Sequence, residues 1–158
     1  MLTRAETLRP RPNITYQCRD LREVTPDRDG RFDLVLSCYA LHHVDRLDDT
    51  LRGIRDLLTP GGQIILIDNV DPRRRVPRSW FVKEAVRWLA ADVLHHRRPV
   101  AEAAEVFRLS IHPAWMDHLT GDLFLTPDEF AHHYLAVFAD AEITPMYRAR
   151  ALRWAPDR

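Results

Sequence analysis

The sequence is poor in glycine, cysteine and net charge, and it has no long hydrophobic run. Five glycines stand among 158 residues, and no two of them form a Gly-x-Gly turn. No apolar run approaches the roughly 20 residues that a membrane span needs. The formal net charge is zero, which provides no general attraction to nucleic acid or to an anionic membrane surface. We therefore expect no nucleic acid and no membrane among the partners.

The two cysteines, Cys18 and Cys38, lack the CxxC spacing of redox and zinc motifs. The first residues do not have the pattern of a signal peptide. We therefore expect reduced, mostly structural thiols and a cytoplasmic protein.

A strand-helix-strand unit dominates the first half of the chain. Residues 32–36 and 63–70 are apolar on both faces, which is typical of parallel strands covered by helices on both sides. Between them, residues 47–58 repeat leucine and isoleucine at intervals of three and four, as one face of a helix does. The sequence Thr59-Pro60-Gly61-Gly62 ends this helix and supplies a tight turn before the second strand.

The rest of the chain predicts one further strand, a closing strand pair and several helices. β-favouring residues predict a strand at 13–18. Thr126, Pro127 and Glu129 form a capping box that starts a helix. The remaining predicted elements are helices at 2–8, at 80–96 with Ser79 as N-cap, from Pro99, and at 112–119, and an antiparallel strand pair at 142–147 and 150–154.

Several segments, taken in order, resemble one known family. CRDL, FDLVLSCYALHHV, LRGIRDLLTPGGQIILIDNV, LTPDEF, FADAEI and ALRWAP resemble class I S-adenosylmethionine-dependent methyltransferases along nearly the whole chain. The resemblance implies an α/β fold with a Rossmann-like, mostly parallel sheet whose last strand is antiparallel, flanked by helices and carrying a helical insert. The family's strand order is 3-2-1-4-5-7-6, and residues 13–18, 32–37 and 63–70 would be strands three, four and five.

The resemblance also implies how one domain, residues 1–158, is divided. Residues 1–78 would be part of the cofactor-binding half, 79–125 a helical lid, and 126–158 the final helix and strand pair. The family's glycine-rich turn after strand one and its acidic residue after strand two have no counterpart here, so the sheet is expected to be incomplete.

Three arrangements could follow from an incomplete sheet. The chain is truncated or mis-started, which we favour, or another polypeptide supplies the missing strands, or residues 13–18 dock directly beside 32–37. For the isolated chain we expect the third arrangement or a loosely held amino end. An exposed sheet edge would favour self-association.

Cofactor-binding residues follow from the resemblance. Asp20 would accept a hydrogen bond from the adenine amino group, and the Leu21 amide would meet a ring nitrogen. Ser37, Cys38 and Tyr39 would line the methionine and methyl end of S-adenosylmethionine. Asp20 could instead be a turn carboxylate, and Cys38 and Tyr39 could pack in the core.

The catalytic candidates are His42 and His43, which would face the substrate in this family. An imidazole has a pKa near neutral pH, so one of them could take a proton from a hydroxyl or amine nucleophile. Alternatively, one packs and the other is solvated. Asp68 could touch substrate or cap a turn.

Histidine pairs also occur at His95-His96 and His132-His133. Metal ligands on helices usually stand at i and i+4 or in motifs such as HExxH, which are absent here, so no metal is expected. Arg73, Arg74 and Arg75 could bind phosphate but are more typical of a solvated loop.

The segment in which the family varies its substrate cover carries four aromatic residues, Trp80, Trp88, Phe107 and Trp115. We expect most of them in the core and one or two in the wall of an acceptor pocket.

The predicted function is methyl transfer from S-adenosylmethionine to a small-molecule acceptor whose identity the sequence does not define. The alternative is a non-catalytic remnant of a methyltransferase that acts as an interaction module.

Overall fold

The computed structural model describes residues 2–156. One sheet contains strands β1 (Phe32–Cys38), β2 (Leu58–Asn69), β3 (Glu142–Pro145) and β4 (Ala149–Trp154). The helices are α1 (Leu2–Leu8), α2 (Pro26–Asp29), α3 (Leu47–Asp56), α4 (Arg78–Leu94), α5 (Val100–Ser110), α6 (Pro113–Gly121) and α7 (Pro127–Val137), and 3₁₀ turns cover Leu21–Glu23 and Leu41–His43. None of the helices within residues 2–156 has both the length and the apolar character that crossing a bilayer demands.

The order of the strands in the sheet is β1-β2-β4-β3. β1 runs parallel to β2, while β4 is antiparallel to both of its neighbours. Only β4 therefore runs against the common direction. This order and direction confirm the arrangement 4-5-7-6 that the sequence predicts for the second half of a class I methyltransferase sheet.

The crossover between β1 and β2 follows from the pattern of residues in α3. Leu51 and Ile54 are buried, whereas Arg52 and Arg55 are exposed on the opposite side. The helix ends at Asp56, shortly before Pro60, which cannot continue it. The predicted strand-helix-strand unit is confirmed.

The two consecutive glycines lie inside β2 and not in a turn before it, which corrects the sequence-based expectation. Phe32 pairs with Leu58, but the next pair joins Leu34 to Gln63, so β2 has extra residues between the two pairs. Such an irregularity is a bulge, and Gly61 in it has φ +78°, which favours glycine.

The core lies between one face of the sheet and helices α3 and α7. Thr126 and Glu129 form the predicted capping box at the start of α7. Since this box fixes the start of α7, the helix presents Phe130 and Tyr134 to the sheet, and both are completely buried. The core cluster comprises Leu41, Leu51, Ile54, Leu58, Ile64, Leu66, Val70, Phe130, Tyr134, Val137, Phe138 and Leu152.

The other face of β1 is uncovered, contrary to the expectation of strands buried on both sides. Leu34 and Leu36 are 54% and 60% exposed. They share this face with Ile65 and Ile67 of β2, since parallel partners point the same way. In the described part of the chain, β1 also has no strand on its outer edge.

The strand predicted at residues 13–18 is absent. The segment is irregular and mostly exposed, and it docks against no strand. Cys18 is exposed and free, as is Cys38. β-favouring residues form a strand only where a neighbour accepts their hydrogen bonds, and strands one and two, which would lie between strands three and four, are not among the described elements.

Helices α4, α5 and α6 form an insert that leaves and rejoins the sheet at one place. α4 begins at Arg78 after Pro77, so Ser79 lies inside the helix and is not its N-cap. The insert returns where Val70 and Leu125 form a parallel bridge, with the Asp71 amide donating to the Leu125 carbonyl at 2.9 Å.

Two of the three arginines between β2 and α4, Arg73 and Arg74, form ion pairs. Arg73 binds Asp71 at 2.8 Å and Arg74 binds Glu129 at 3.0 Å. These two residues therefore contribute to the docking of the loop.

Candidate functional site

The carboxyl ends of β1 and β2 lie side by side, where ligands bind in open α/β sheets. The Tyr39 amide donates to the Ile67 carbonyl at 2.8 Å, which extends the parallel pairing beyond β1. Tyr39 has φ 54° and is half-exposed, Cys38 is exposed, and Ser37 is half-buried. The structure thus places these three predicted cofactor residues at one edge. The alternative prediction, that Cys38 and Tyr39 pack in the core, is wrong.

A 3₁₀ turn directly after this edge holds the two histidines side by side, with different exposure to solvent. Leu41 points into the core, and this anchors the turn. The side chain of His42 is 5% exposed, whereas that of His43 is 43% exposed. The burial of the two side chains therefore agrees with the alternative prediction, in which one histidine packs and the other is solvated. Whether either histidine can also act in catalysis depends on the residues around it.

His42 is held by a buried carboxylate. Its Nδ1 lies 2.5 Å from Oδ1 of Asp68, and the Asn69 amide donates to the same oxygen at 2.9 Å. The Tyr134 hydroxyl lies 3.5 Å from Oδ2 of Asp68. Asp68 therefore neither caps a turn nor faces an open pocket, since it is 3% exposed and orients His42.

Burial opposes protonation of His42, but the hydrogen bond and charge of Asp68, together with the charge of Asp122, outweigh it. The pKa of His42 is consequently raised above its ordinary value. Burial also raises the pKa of Tyr134, which keeps this hydroxyl protonated as a donor to Asp68.

A second carboxylate, Asp122, faces three histidines. Its oxygens lie 3.9 Å from Nε2 of His42, 3.6 Å from Nδ1 of His43 and 3.9 Å from Nε2 of His118. Asp122 follows the last residue of α6, and the Phe124 amide donates to the Arg74 carbonyl at 2.9 Å. The return of the insert to the end of β2 therefore brings this carboxylate to the site.

Next to the histidines lies an aromatic cavity of about 280 Å³. Stacking connects the two, because the Trp115 ring lies 5.2 Å from His118, which lies 5.4 Å from His43. Of the four aromatic residues singled out in the sequence, three line this cavity and Phe107 does not. The lining residues are Asn69, Trp80, Phe81, Glu84, Ala85, Trp88, Ser110, Trp115, Leu119, Tyr147 and Arg148.

Two polar groups in this cavity are fixed by neighbours. The carboxylate of Glu84, 8% exposed, accepts hydrogen bonds from Tyr147 at 3.2 Å and from Arg87 at 2.9 Å. The Arg148 guanidinium lies 3.8 Å from the centre of the Trp80 ring, a cation–π contact.

Asp20 and Leu21 lie at a 3₁₀ turn, Leu21–Glu23, that precedes β1 in the chain. Asp20 accepts hydrogen bonds from the amide and guanidinium of Arg22, which lower the pKa of its carboxyl to about 2. Asp20 caps a 3₁₀ turn, as in the alternative prediction that it is a turn carboxylate. Leu21 lines a cavity of about 480 Å³ against α3. Within residues 2–156, no hydrogen bond or ion pair joins Asp20 or Leu21 to the strand edge.

Sequence reasoning missed Asp122, His118 and Glu84 as site residues. Asp122 is 79 and 80 residues from the two histidines in the chain, and only the return of the insert places it there. The sequence did contain one indication of a site here, namely the adjacent pair His42-His43 followed by Asp68 at the end of the next strand.

The strand order and the position of the site are those expected of a class I methyltransferase fold, and comparison with known proteins gives the same resemblance. A sequence model of the family described as "Methyltransferase domain" matches residues 1–66. In this match and in the order of its strands, the chain is similar to the class I S-adenosylmethionine-dependent methyltransferases.

Similar proteins cover different parts of the chain. The uncharacterized protein YafE of Escherichia coli (strain K12) is 33% identical over 88 residues, which is 55% of this chain and 42% of YafE. The hybrid PKS-NRPS synthetase mycA of Thermothelomyces thermophilus is 29% identical over 110 residues, 66% of this chain and 3% of the synthetase.

The structure of the trans-methyltransferase CalH, in complex with SAH, matches 97% of this chain and 38% of CalH with a TM-score of 0.52 and 16% identity. This match concerns the fold. The chain spans less than half the length of each of these three proteins.

Proposed function

We propose that this chain takes part in methyl transfer from S-adenosylmethionine to a small-molecule acceptor. The observation that carries the proposal is the juxtaposition, at the carboxyl edge of a sheet with methyltransferase order, of Tyr39, the His42-Asp68 pair and the aromatic cavity. The complex of CalH with SAH, the product form of this cofactor, supports the assignment.

The cofactor would lie along the ends of β1 and β2. Ser37, Cys38 and Tyr39 would contact its methionine end, and the left-handed backbone of Tyr39 exposes the edge to a ligand. Asp20 and Leu21 would contact the adenine, which requires Asp20 to exchange Arg22 for the ligand.

The reaction is an in-line displacement at the sulfonium methyl group. A lone pair of the acceptor oxygen or nitrogen attacks the methyl carbon, the carbon–sulfur bond breaks, and its electron pair remains on sulfur. The acceptor then loses a proton, and His43, whose side chain reaches solvent, is placed to take it, while His42 and Asp68 position the turn. The protein mainly orients the reactants and excludes water.

The acceptor would bind in the aromatic cavity, with residues 79–125 acting as its cover. Its walls combine indole rings with the Glu84 carboxylate, which suits a largely apolar, planar molecule carrying a few polar groups. The cytoplasmic location and the division into three parts stay predictions.

The test is a calorimetric titration of the chain with S-adenosylhomocysteine. We expect a Kd on the order of micromolar or tighter, lost in Asp20→Ala and retained in Asp27→Ala, a nearby exposed aspartate of α2. A folded chain that binds no S-adenosylhomocysteine would contradict the proposal for these 158 residues.

A second candidate function is an interaction module, and the uncovered face of β1 favours it. Leu34 and Leu36 are more than half exposed beside a strand edge that no described strand covers. A second copy of this chain would pair β1 with β1 at the strand edge and join the two apolar faces into one continuous surface.

A further inference from the structure

We propose that His42, His43 and Asp122 form a binding site for a divalent transition metal of the zinc class. Neighbouring histidines on a regular helix diverge, which is why the sequence predicted no metal. The 3₁₀ turn and the return of the insert at Leu125 instead bring the two imidazoles together at one carboxylate.

The donor atoms of the three side chains lie near one another, but farther apart than the ligands of a bound ion. One donor atom from each of the three residues lies within 4.8 Å of the other two. The separations that involve Asp122 are 3.9 Å to Nε2 of His42 and 3.6 Å to Nδ1 of His43. Ligands about 2.0 to 2.2 Å from a tetrahedral zinc lie roughly 3.4 Å apart, so side-chain rotations that bring the three donor atoms closer than they now lie would complete the geometry.

The carboxylate behind His42 supports the same assignment. A metal-bound histidine usually donates its other ring N–H to a carboxylate, which fixes the tautomer and the orientation of the ring. Asp68 is placed for this relationship to His42, since its Oδ1 lies 2.5 Å from Nδ1, while Nε2, the other ring nitrogen, lies 3.9 Å from Asp122. Tyr134 and the Asn69 amide hold Asp68 in turn.

Access and an additional ligand are also present. The side chain of His42 is 5% exposed and that of Asp122 11%, but His43 at 43% opens the site to solvent. His118, with Nε2 3.9 Å from Asp122, could join as a fourth ligand or leave that position to water.

The chain contains two other contacts between a histidine and an aspartate, and neither has a comparable third donor among residues 2–156. His133 pairs with Asp48 at 2.8 Å, and His96 with Asp92 at 3.0 Å. Both are ordinary hydrogen-bonded pairs, whereas Asp122 lies beyond hydrogen-bonding distance of three imidazoles. This difference makes His133 a matched control.

The donor set defines the class of ion. Two imidazole nitrogens and one carboxylate suit zinc, cobalt or iron in the divalent state better than magnesium or calcium, which prefer oxygen ligands. Three protein ligands leave one tetrahedral position open. Resting on the proposed function, a metal there would lower the pKa of an acceptor hydroxyl at the open position, and His43 would then be a ligand instead of the base.

The experiment uses the complete chain without a histidine tag, freed of metal with EDTA and with both cysteines alkylated. Cobalt(II) is titrated while its visible d–d absorption is recorded, and zinc(II) is then added as a competitor. No cofactor or acceptor is present, so the result is independent of methyl transfer.

We expect one equivalent of cobalt, displaced by zinc, with affinity reduced at least about tenfold in Asp122→Asn and in His43→Ala. Asp68→Asn should weaken binding by roughly 10- to 100-fold, because His42 loses the carboxylate that orients its ring. His133→Ala should bind as the unaltered chain does. The proposal is overturned if the folded chain binds no cobalt, if the Asp122 and His43 variants bind normally, or if His133→Ala loses as much affinity as they do.

Discussion

Nδ1 of His42 and Oδ1 of Asp68 lie 2.5 Å apart, although the two residues are separated by 26 positions in the chain. One belongs to the turn after β1 and the other to the last residues of β2. The contact therefore joins the ends of the two parallel strands from inside the protein, and it fixes the imidazole on which the site depends.

Replacing Asp68 by asparagine should lower the pKa of His42, because the carboxylate that stabilises the imidazolium is lost. Since the pKa of His42 is raised in the folded state, this stabilisation is complete below the unfolded value near 6.5 and disappears as the pH rises through the folded pKa. Titration of the imidazole nitrogens by NMR in EDTA measures both proteins. Asp92→Asn is the control, and an unchanged pKa of His42 in Asp68→Asn would contradict the prediction.

Asp71 should contribute to stability in a way that acid removes. Hydrogen bonds from Arg73 and Arg148 lower the pKa of this buried carboxyl to about 2 from 3.8. The contribution is therefore present above pH 4 and is lost as the pH falls towards 2, amounting to about 2 kcal/mol at neutral pH.

Urea unfolding of the unaltered chain and of Asp71→Asn at pH 7 and at pH 3 would measure this difference. We expect the difference between the two free energies of unfolding to become smaller at the lower pH, without vanishing, because pH 3 is still above the folded pKa of about 2. A difference that stays constant would assign the loss to packing and not to the charge.

Two glycine substitutions should act in opposite directions. A Cβ on Gly62 would lie 3.0 Å from the carbonyl oxygens of Phe32 and Thr59, whereas at Gly53 it would meet nothing within 4 Å. Gly62→Ala should therefore destabilise the bulge. Gly53→Ala, within α3, should stabilise the helix by about 0.5 to 1 kcal/mol. Thermal unfolding of both variants checks this, and equal shifts of Tm would contradict it.

Leu36→Lys should reduce self-association, because it places a charge on the uncovered apolar face beside the edge of β1. Sedimentation velocity over a range of concentrations measures the effect. Val86→Lys, at a 51% exposed position on α4, is the matched control. A chain that is monomeric at every concentration, or two variants that behave alike, would contradict the second candidate function.

The elements that sequence patterns predict best are those whose signals are local. The helical spacing of Leu51 and Ile54 and the capping box at Thr126 depend on neighbours within a few positions, and both are confirmed. The strand at 13–18 fails because a strand needs a partner that local sequence does not contain.

The site was only half predictable for the same reason. His42, His43 and the Ser37 to Tyr39 edge follow a strand directly, so the rule that ligands bind at carboxyl ends finds them. Asp122 comes from the end of a helix in the insert, and its approach depends on how 54 residues between Val70 and Leu125 fold back. Nothing in the spacing of histidines along the chain contains that information.

The bridge between Val70 and Leu125 has a consequence for how such a protein can change during evolution. It brings the start and the end of the insert to adjacent points, so the whole segment can be lengthened, shortened or exchanged while the strands keep their register. Diversification of the acceptor could therefore proceed by replacing one module. The aspartate just before the bridge would be the first constraint that any replacement has to respect.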